Sequence, residues 1–116
     1  MLNKKDLISI NNKFSNGNII NKGSLDYLVD YTGKSKSWIK SLAHIVRALL
    51  IDHIFEDGNK RTALLSIVYY LEDKGYNYSI NKVNNIIVKI LKKNITSINE
   101  IERLIENVIN WSNGKD

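Results

Sequence analysis

Apolar residues recur at helical spacing through most of the second half of this chain. In "KSWIKSLAHIVRALLIDHIF", Lys36 to Phe55, residues Trp38, Leu42, Ile45, Val46, Leu49 and Leu50 share one face. Ser37 stands before that face as a helix N-cap. The next segment, "KRTALLSIVYYLEDK", is apolar on nearly every side from Ala63 to Leu71, the pattern of a central helix surrounded by others, and Gly75 ends it. "NKVNNIIVKILKKN" then aligns Val83, Ile87, Ile90 and Leu91, with Lys82, Lys89 and Lys93 on another face. "SINEIERLIENVINW" aligns Ile98, Ile101, Ile105 and Val108, and Ser97 with Glu100 predicts a capping box.

The first third is less regular. A short helix is predicted from Asp6 to Lys13, and a second from Leu25 to Tyr31 capped by Ser24. Between them "SNGNIINKGS" is rich in Asn and Gly and predicts a loop or a small β-hairpin. No repeat or long linker divides the chain, so the expected architecture is all-α, a compact single-domain helical bundle over residues 1–116.

The totals narrow the function classes. At 116 residues the chain suits one domain with a modest core. It has no proline to break a helix from within, and no cysteine for disulfides or thiolate metal sites. A net charge of +5 suits acidic partners or phosphate-bearing ligands without itself specifying nucleic acid. The apolar stretch Leu7 to Ile10 is too short for the core of a signal peptide. The uncharged run "TALLSIVYYL" is about half a membrane span. No membrane role is therefore expected, and the expected location is cytoplasmic.

The chemistry concentrates in "DHIFEDGNKRTALL", Asp52 to Leu65, at the junction of the two central helices. Asp57-Gly58-Asn59 is expected to break the first helix, so that the amides of Asn59, Lys60 and Arg61 open the second. A helix N-terminus offers unpaired N–H groups and the positive end of the helix dipole, and Lys60 and Arg61 add two full cations. Gly58 would let an anion approach the backbone. Asp57, a carboxylate beside an anion site, makes sense if a divalent cation bridges it to phosphate oxygens. His53 stands at the mouth of the loop, and an imidazole there can take a proton from a hydroxyl attacking a bound phosphate. Phe55 is expected to anchor the loop in the core. Each residue alone has an ordinary explanation: a partly buried histidine, an Asp-Gly turn, a capping asparagine, solvated cations. Their combination is what points to a site.

With those residues in place, "HIFEDGNKR" resembles the signature of the Fic and Doc (Fido) proteins, His-x-Phe-x-Asp/Glu-Gly/Ala-Asn-Gly/Lys-Arg. Seven positions match, His53, Phe55, Asp57, Gly58, Asn59, Lys60 and Arg61. At roughly one in twenty per position, chance does not produce that in so short a chain. The resemblance covers at least Ser37 to Tyr76. It implies a helical Fido-type core and an enzyme that transfers part of a nucleotide triphosphate such as ATP, with Mg²⁺, to a Ser, Thr or Tyr hydroxyl of a target protein. Carried over, His53 is the general base and Asp57 the metal ligand. Gly58, Asn59 and Lys60 form the anion hole, and Arg61 holds phosphate. A flap upstream of the motif docks the target in such proteins, and Asn18, Ile19, Ile20 and Asn21 within "NGNIINKGS" are the candidates here.

Departures from the signature bear on the reaction. Lys60 replaces the glycine of Gly-Asn-Gly, and Leu64 stands where the AMP-transferring branch carries a second arginine that grips the terminal phosphate. Ile54 replaces a common proline. The Doc branch shares Asn-Lys-Arg, lacks the second arginine and transfers the γ-phosphate; Gly58, where Doc has alanine, points the other way. Phosphotransfer is favoured, protein AMP transfer (AMPylation) is the alternative, and size and branch suggest a toxin restrained by an antitoxin or inhibitor protein. The self-inhibiting helix of some relatives is matched only by Glu106-Asn107, with Glu102 in the Ser/Thr position, so no built-in inhibitor is expected. Two other classes compete. An idle interaction module sits poorly with an intact motif. A nucleic-acid-binding helical module using Lys82, Lys89, Lys92 and Lys93 is disfavoured by the nearby Glu100, Glu102 and Glu106 and by the lack of interleaved aromatics. A helical metal site from His44 and His53 fails on geometry, since nine residues at ~100° each make them project from opposite sides of one helix.

Overall fold

Six helices account for the ordered core in the computed structural model, which describes residues 2–113: α1 (Lys4–Asn12), α2 (Lys22–Lys34), α3 (Trp38–Leu50), α4 (Asn59–Asp73), α5 (Ile80–Lys93) and α6 (Ile98–Asn113). The fold is all-α, and among the described residues no helix is long and apolar enough to cross a membrane.

The centre is α3, which packs against α2, α4, α5 and α6. Eight of its thirteen residues are buried, against six of fifteen in α4, so of the two helices expected at the centre α3, and not α4, is the axis. The buried Ser41, Ala43 and Ala48 explain this, because small side chains let several neighbours approach one helix. The expected cap at Ser37 is present, its side chain accepting the Lys40 N–H. Helix α4 lies between α1, α3 and α5, with Thr62, Ala63, Ser66, Ile67, Tyr70 and Leu71 buried. Gly75 follows it at φ +80°, and the Tyr76 N–H returns to Leu71 O at 2.9 Å, closing the helix end as expected. Helices α5 and α6 bury the predicted apolar faces. The box before α6 is half formed, with the Glu100 N–H donating to Ser97 Oγ at 3.3 Å.

Three expectations about the chain's first half are corrected. Helix α1 begins at Lys4 because Asn3 and Asp6 form a capping box. Helix α2 begins at Lys22, capped by Asn21, whose side chain accepts the Ser24 N–H; Ser24 lies inside the helix. The third concerns Asn16 to Ser24, which forms no hairpin. Its extended part pairs instead with the loop after α3, through a single antiparallel bridge between Ile19 and Phe55. The Ile20 N–H donates to Ile54 O at 2.8 Å, and the Glu56 N–H to Asn18 O at 2.9 Å.

That pairing also explains why α3 stops at Leu50 rather than continuing to Asp57. Ile54 and Phe55 are both fully buried, and they reach the core only because the chain leaves the helix and turns back beside Ile19. His53 is therefore in the loop, beyond α3, and the helical projection separating it from His44 does not apply.

Candidate active site

The loop between α3 and α4 is held from three sides. From within, the Asn59 side chain accepts the Phe55 N–H at 3.1 Å and donates to Phe55 O at 2.8 Å. From the extended segment, the Asn21 side chain donates to Asp52 O at 3.0 Å, and Asn16 and Asn18 both donate to the Glu56 carboxylate. From α1, the buried Asn11 donates to Asp57 O at 2.9 Å and to Thr62 Oγ1 at 3.2 Å. Phe55, fully buried, is the apolar anchor of the loop.

Two residues of the loop take left-handed backbone conformations. Gly58 has φ +79° and is the N-cap of α4, with no side chain to cap it. A Cβ at Gly58 would lie 2.9 Å from Asn11 Nδ2 and 3.0 Å from Phe14 Cε2, so the space a side chain would need is taken by the protein itself. The glycine is required by that close approach and by its φ, a different reason from room for a ligand. His53 has φ +55°, which costs a non-glycine residue roughly 1–2 kcal/mol. The buried Ile54 and Phe55 directly after it hold the chain in that conformation and leave the imidazole exposed.

The result is a cleft of about 650 Å³, within the size range of small-molecule sites. His53, Asp57, Gly58, Asn59, Lys60 and Arg61 all line it, with Phe14, Leu50, Glu56 and Leu91 completing the walls. The first bond of the α4 ladder runs from the Thr62 N–H to Gly58 O at 3.0 Å, so the amides of Asn59, Lys60 and Arg61 have no acceptor within their own helix. Those amides and the exposed side chains of Lys60 and Arg61 gather positive charge at one wall. Arg61 is steadied by Phe14, its Cζ lying 5.7 Å from the ring centroid. Asp57 is exposed at the same wall, and among the described residues no group of three or more His, Cys, Asp or Glu side chains could cage a metal ion. A cation here would therefore take one carboxylate from Asp57 and its other oxygens from phosphate and water, which suits Mg²⁺.

The structure brings together every motif residue that the sequence singles out, with Phe55 behind the cleft rather than in it. Asn18 to Asn21 brace the loop and do not line the cleft. Asn59 meets the loop main chain with its side chain, leaving its backbone N–H as the group available to an anion. Sequence reasoning missed Asn11, Phe14, Glu56, Leu50 and Leu91. Only Glu56 and Leu50 lie near the motif in the chain, and neither carries a signal there. Leu64, half-buried, packs against the core. Glu102 pairs with Lys40 at 3.1 Å, and Glu106 is not among the residues lining the cleft. Lys82, Lys89, Lys92 and Lys93 are all exposed on α5.

Across the molecule, His44 on α3 lies against Tyr31 of α2, ring centroids 3.8 Å apart. Burial holds its pKa below the ordinary histidine value, and the nearby Arg47 and Lys40 push it the same way. It does not line the cleft.

No curated protein matches the chain. Residues 20–71 match the model of the Fic/DOC family, a span that contains α2, α3, the loop and most of α4. The full signature from His53 to Arg61 lies inside that span, so this part of the chain is similar to the Fic/DOC family in both its motif and its helical setting.

Proposed function

We propose that this protein is a Fido-type transferase that moves a phosphate-containing group from a nucleotide triphosphate such as ATP to a Ser, Thr or Tyr hydroxyl of a target protein. The observation that carries the reading is the single cleft in which His53, Asp57 and the open N-terminus of α4 with Lys60 and Arg61 meet. Unpaired amides and two cations bind phosphate oxygens. Arg61, backed by Phe14, offers its planar fork to one of them. His53 takes the proton of the acceptor hydroxyl as its oxygen forms the new bond to phosphorus and the bond to the leaving phosphate oxygen breaks. Held by Asp57, Mg²⁺ would supply neutralising charge on the phosphate oxygens.

Of the two phosphates that could react, the γ-phosphate is favoured. Lys60 adds a cation at the helix terminus, and Leu64 packs into the core where the AMP-transferring branch has a phosphate-gripping arginine. Gly58 carries no weight on the other side, since the contacts with Asn11 and Phe14 and its φ of +79° require glycine here whatever the reaction. Transfer would then leave a phosphorylated side chain and a nucleoside diphosphate. Transfer of the α-phosphate would leave an AMP-modified side chain and pyrophosphate. A toxin restrained by a separate antitoxin fits a domain of this size whose α6 keeps Glu106 away from the cleft.

Two variants test the reading. Asp57→Ala should abolish Mg²⁺-dependent ATP binding in calorimetry, and His53→Ala should bind ATP but transfer nothing. ATP binding by the parent protein that is indifferent to EDTA and to Asp57→Ala would refute the assigned metal role.

A further inference from the structure

Asn11 lies outside the motif, on α1, and is fully buried although polar. Its Nδ2 donates to Asp57 O at 2.9 Å and to Thr62 Oγ1 at 3.2 Å, while its Oδ1 accepts the Gly17 N–H at 2.9 Å. These partners fix the orientation of the amide. A main-chain carbonyl can only accept and a main-chain N–H can only donate, so a flipped side chain would lose both bonds. Thr62 passes the hold onward, its hydroxyl donating to Gly58 O at 2.8 Å. One side chain thus grips two successive carbonyls, Asp57 directly and Gly58 through Thr62.

A peptide unit is planar and trans, so a fixed carbonyl fixes the N–H on its opposite side. The carbonyl of Asp57 shares its plane with the Gly58 N–H, and that of Gly58 with the Asn59 N–H. Gly58 and Asn59 line the cleft, whereas Asn11 does not; it holds the loop from behind.

We propose that Asn11 is a positioning residue for the anion site: it aims the Gly58 and Asn59 amides and fixes the main chain from which the Asp57 carboxylate projects. The proposal rests on the phosphate-binding reading above and adds a residue 46 positions from Asp57 in the chain. Its bond to the Gly17 N–H also ties the site to the extended segment that braces the loop.

The test compares Asn11→Ala with Leu28→Ala, a truncation at a buried residue of α2 that does not line the cleft and is expected to lower global stability. Mg²⁺-dependent ATP binding is measured by calorimetry, and amide exchange by NMR at Phe55 and Thr62, whose N–H groups bond within the loop region. The expected result for Asn11→Ala is ATP binding weaker by about 10- to 100-fold, the range seen when a residue behind a metal site is removed, with at least about tenfold faster exchange at both amides. Leu28→Ala, compared at matched global stability, should show neither. Equal effects from the two variants would overturn the proposal, since Asn11 would then act through general stability alone. Should the parent protein bind no ATP, the functional reading fails while the exchange arm still decides Asn11: acceleration confined to the loop supports its hold, and unchanged protection overturns it. If Asn11→Ala does not fold, Asn11→Asp, of equal size but with an acceptor facing Asp57 O, replaces it in the same comparison.

Discussion

Replacing Gly58 by alanine should be costly, and the structure gives the size of the effect. At φ +79° an L-residue pays about 1–2 kcal/mol in backbone strain. The new Cβ would also lie 2.9 Å from Asn11 Nδ2, 3.0 Å from Phe14 Cε2 and 3.2 Å from Ser15 Cβ, so at least one must move. Displacing Asn11 weakens its bonds to Asp57 and Gly17, each worth about 1 kcal/mol. The sum is about 2–4 kcal/mol, a large part of the 5–15 kcal/mol typical of a small domain. Gly33→Ala is the internal control. Gly33 sits within α2, and nothing lies within 4 Å of its added Cβ, so alanine there should stabilise by about 0.5–1 kcal/mol. Urea denaturation followed by circular dichroism at constant slope measures both, with Gly58→Ala expected to lower the midpoint by about 1–2 M. A Gly58→Ala variant within about 0.5 kcal/mol of the parent would refute the packing and strain argument at the cap of α4.

Other expectations follow from particular residues. His53→Gly should be more stable than His53→Ala by about 1 kcal/mol in the same assay, because glycine tolerates φ +55° and alanine does not, while both lack transfer activity. The depressed pKa of His44 means that the unfolded chain binds its proton more readily, so stability should be full above about pH 6.5 and fall as pH drops toward the folded-state pKa. His44→Gln should flatten that slope in urea titrations between pH 7 and 5; an unchanged slope would rule His44 out as its source. Restoring Gly at position 60 and Arg at position 64 should shift transfer toward the α-phosphate, read from which label of ATP becomes protein-bound. Glu106→Gly should leave activity unchanged, since Glu106 does not line the cleft; sharp activation would mean that α6 restrains the site.

Helices α3 to α6 and the motif were legible because each rests on residues close together in sequence. The apolar periods of α5 and α6 match their buried faces, and seven motif residues fall within nine positions. The end of α3 was misread because Ile54 continues the apolar spacing of Leu50, although it is buried by turning back rather than by another helical turn. The Asn- and Gly-rich stretch before α2 read as a loop or a small hairpin, but the partner of its extended part is Phe55, 36 residues from Ile19, and pairing at that distance leaves no local signal. Asn11 was invisible for the same reason. An asparagine near a helix end ordinarily faces solvent, and only the fold brings it beneath Asp57. Composition also gave no warning that α3 rather than α4 is the axis, because Ser41, Ala43 and Ala48 contribute closeness and not hydrophobicity.

The most direct test of the central claim is a transfer assay with a cell lysate as the source of target. The protein is incubated with the lysate, Mg²⁺ and ATP labelled at either the α- or the γ-phosphate, beside a folded His53→Ala control. The account predicts γ-label on a hydroxyl side chain of a lysate protein, absent with EDTA and absent with His53→Ala. Label transferred equally well by His53→Ala would contradict the account, because the cleft that brings His53 to the open end of α4 would then not be where the reaction occurs.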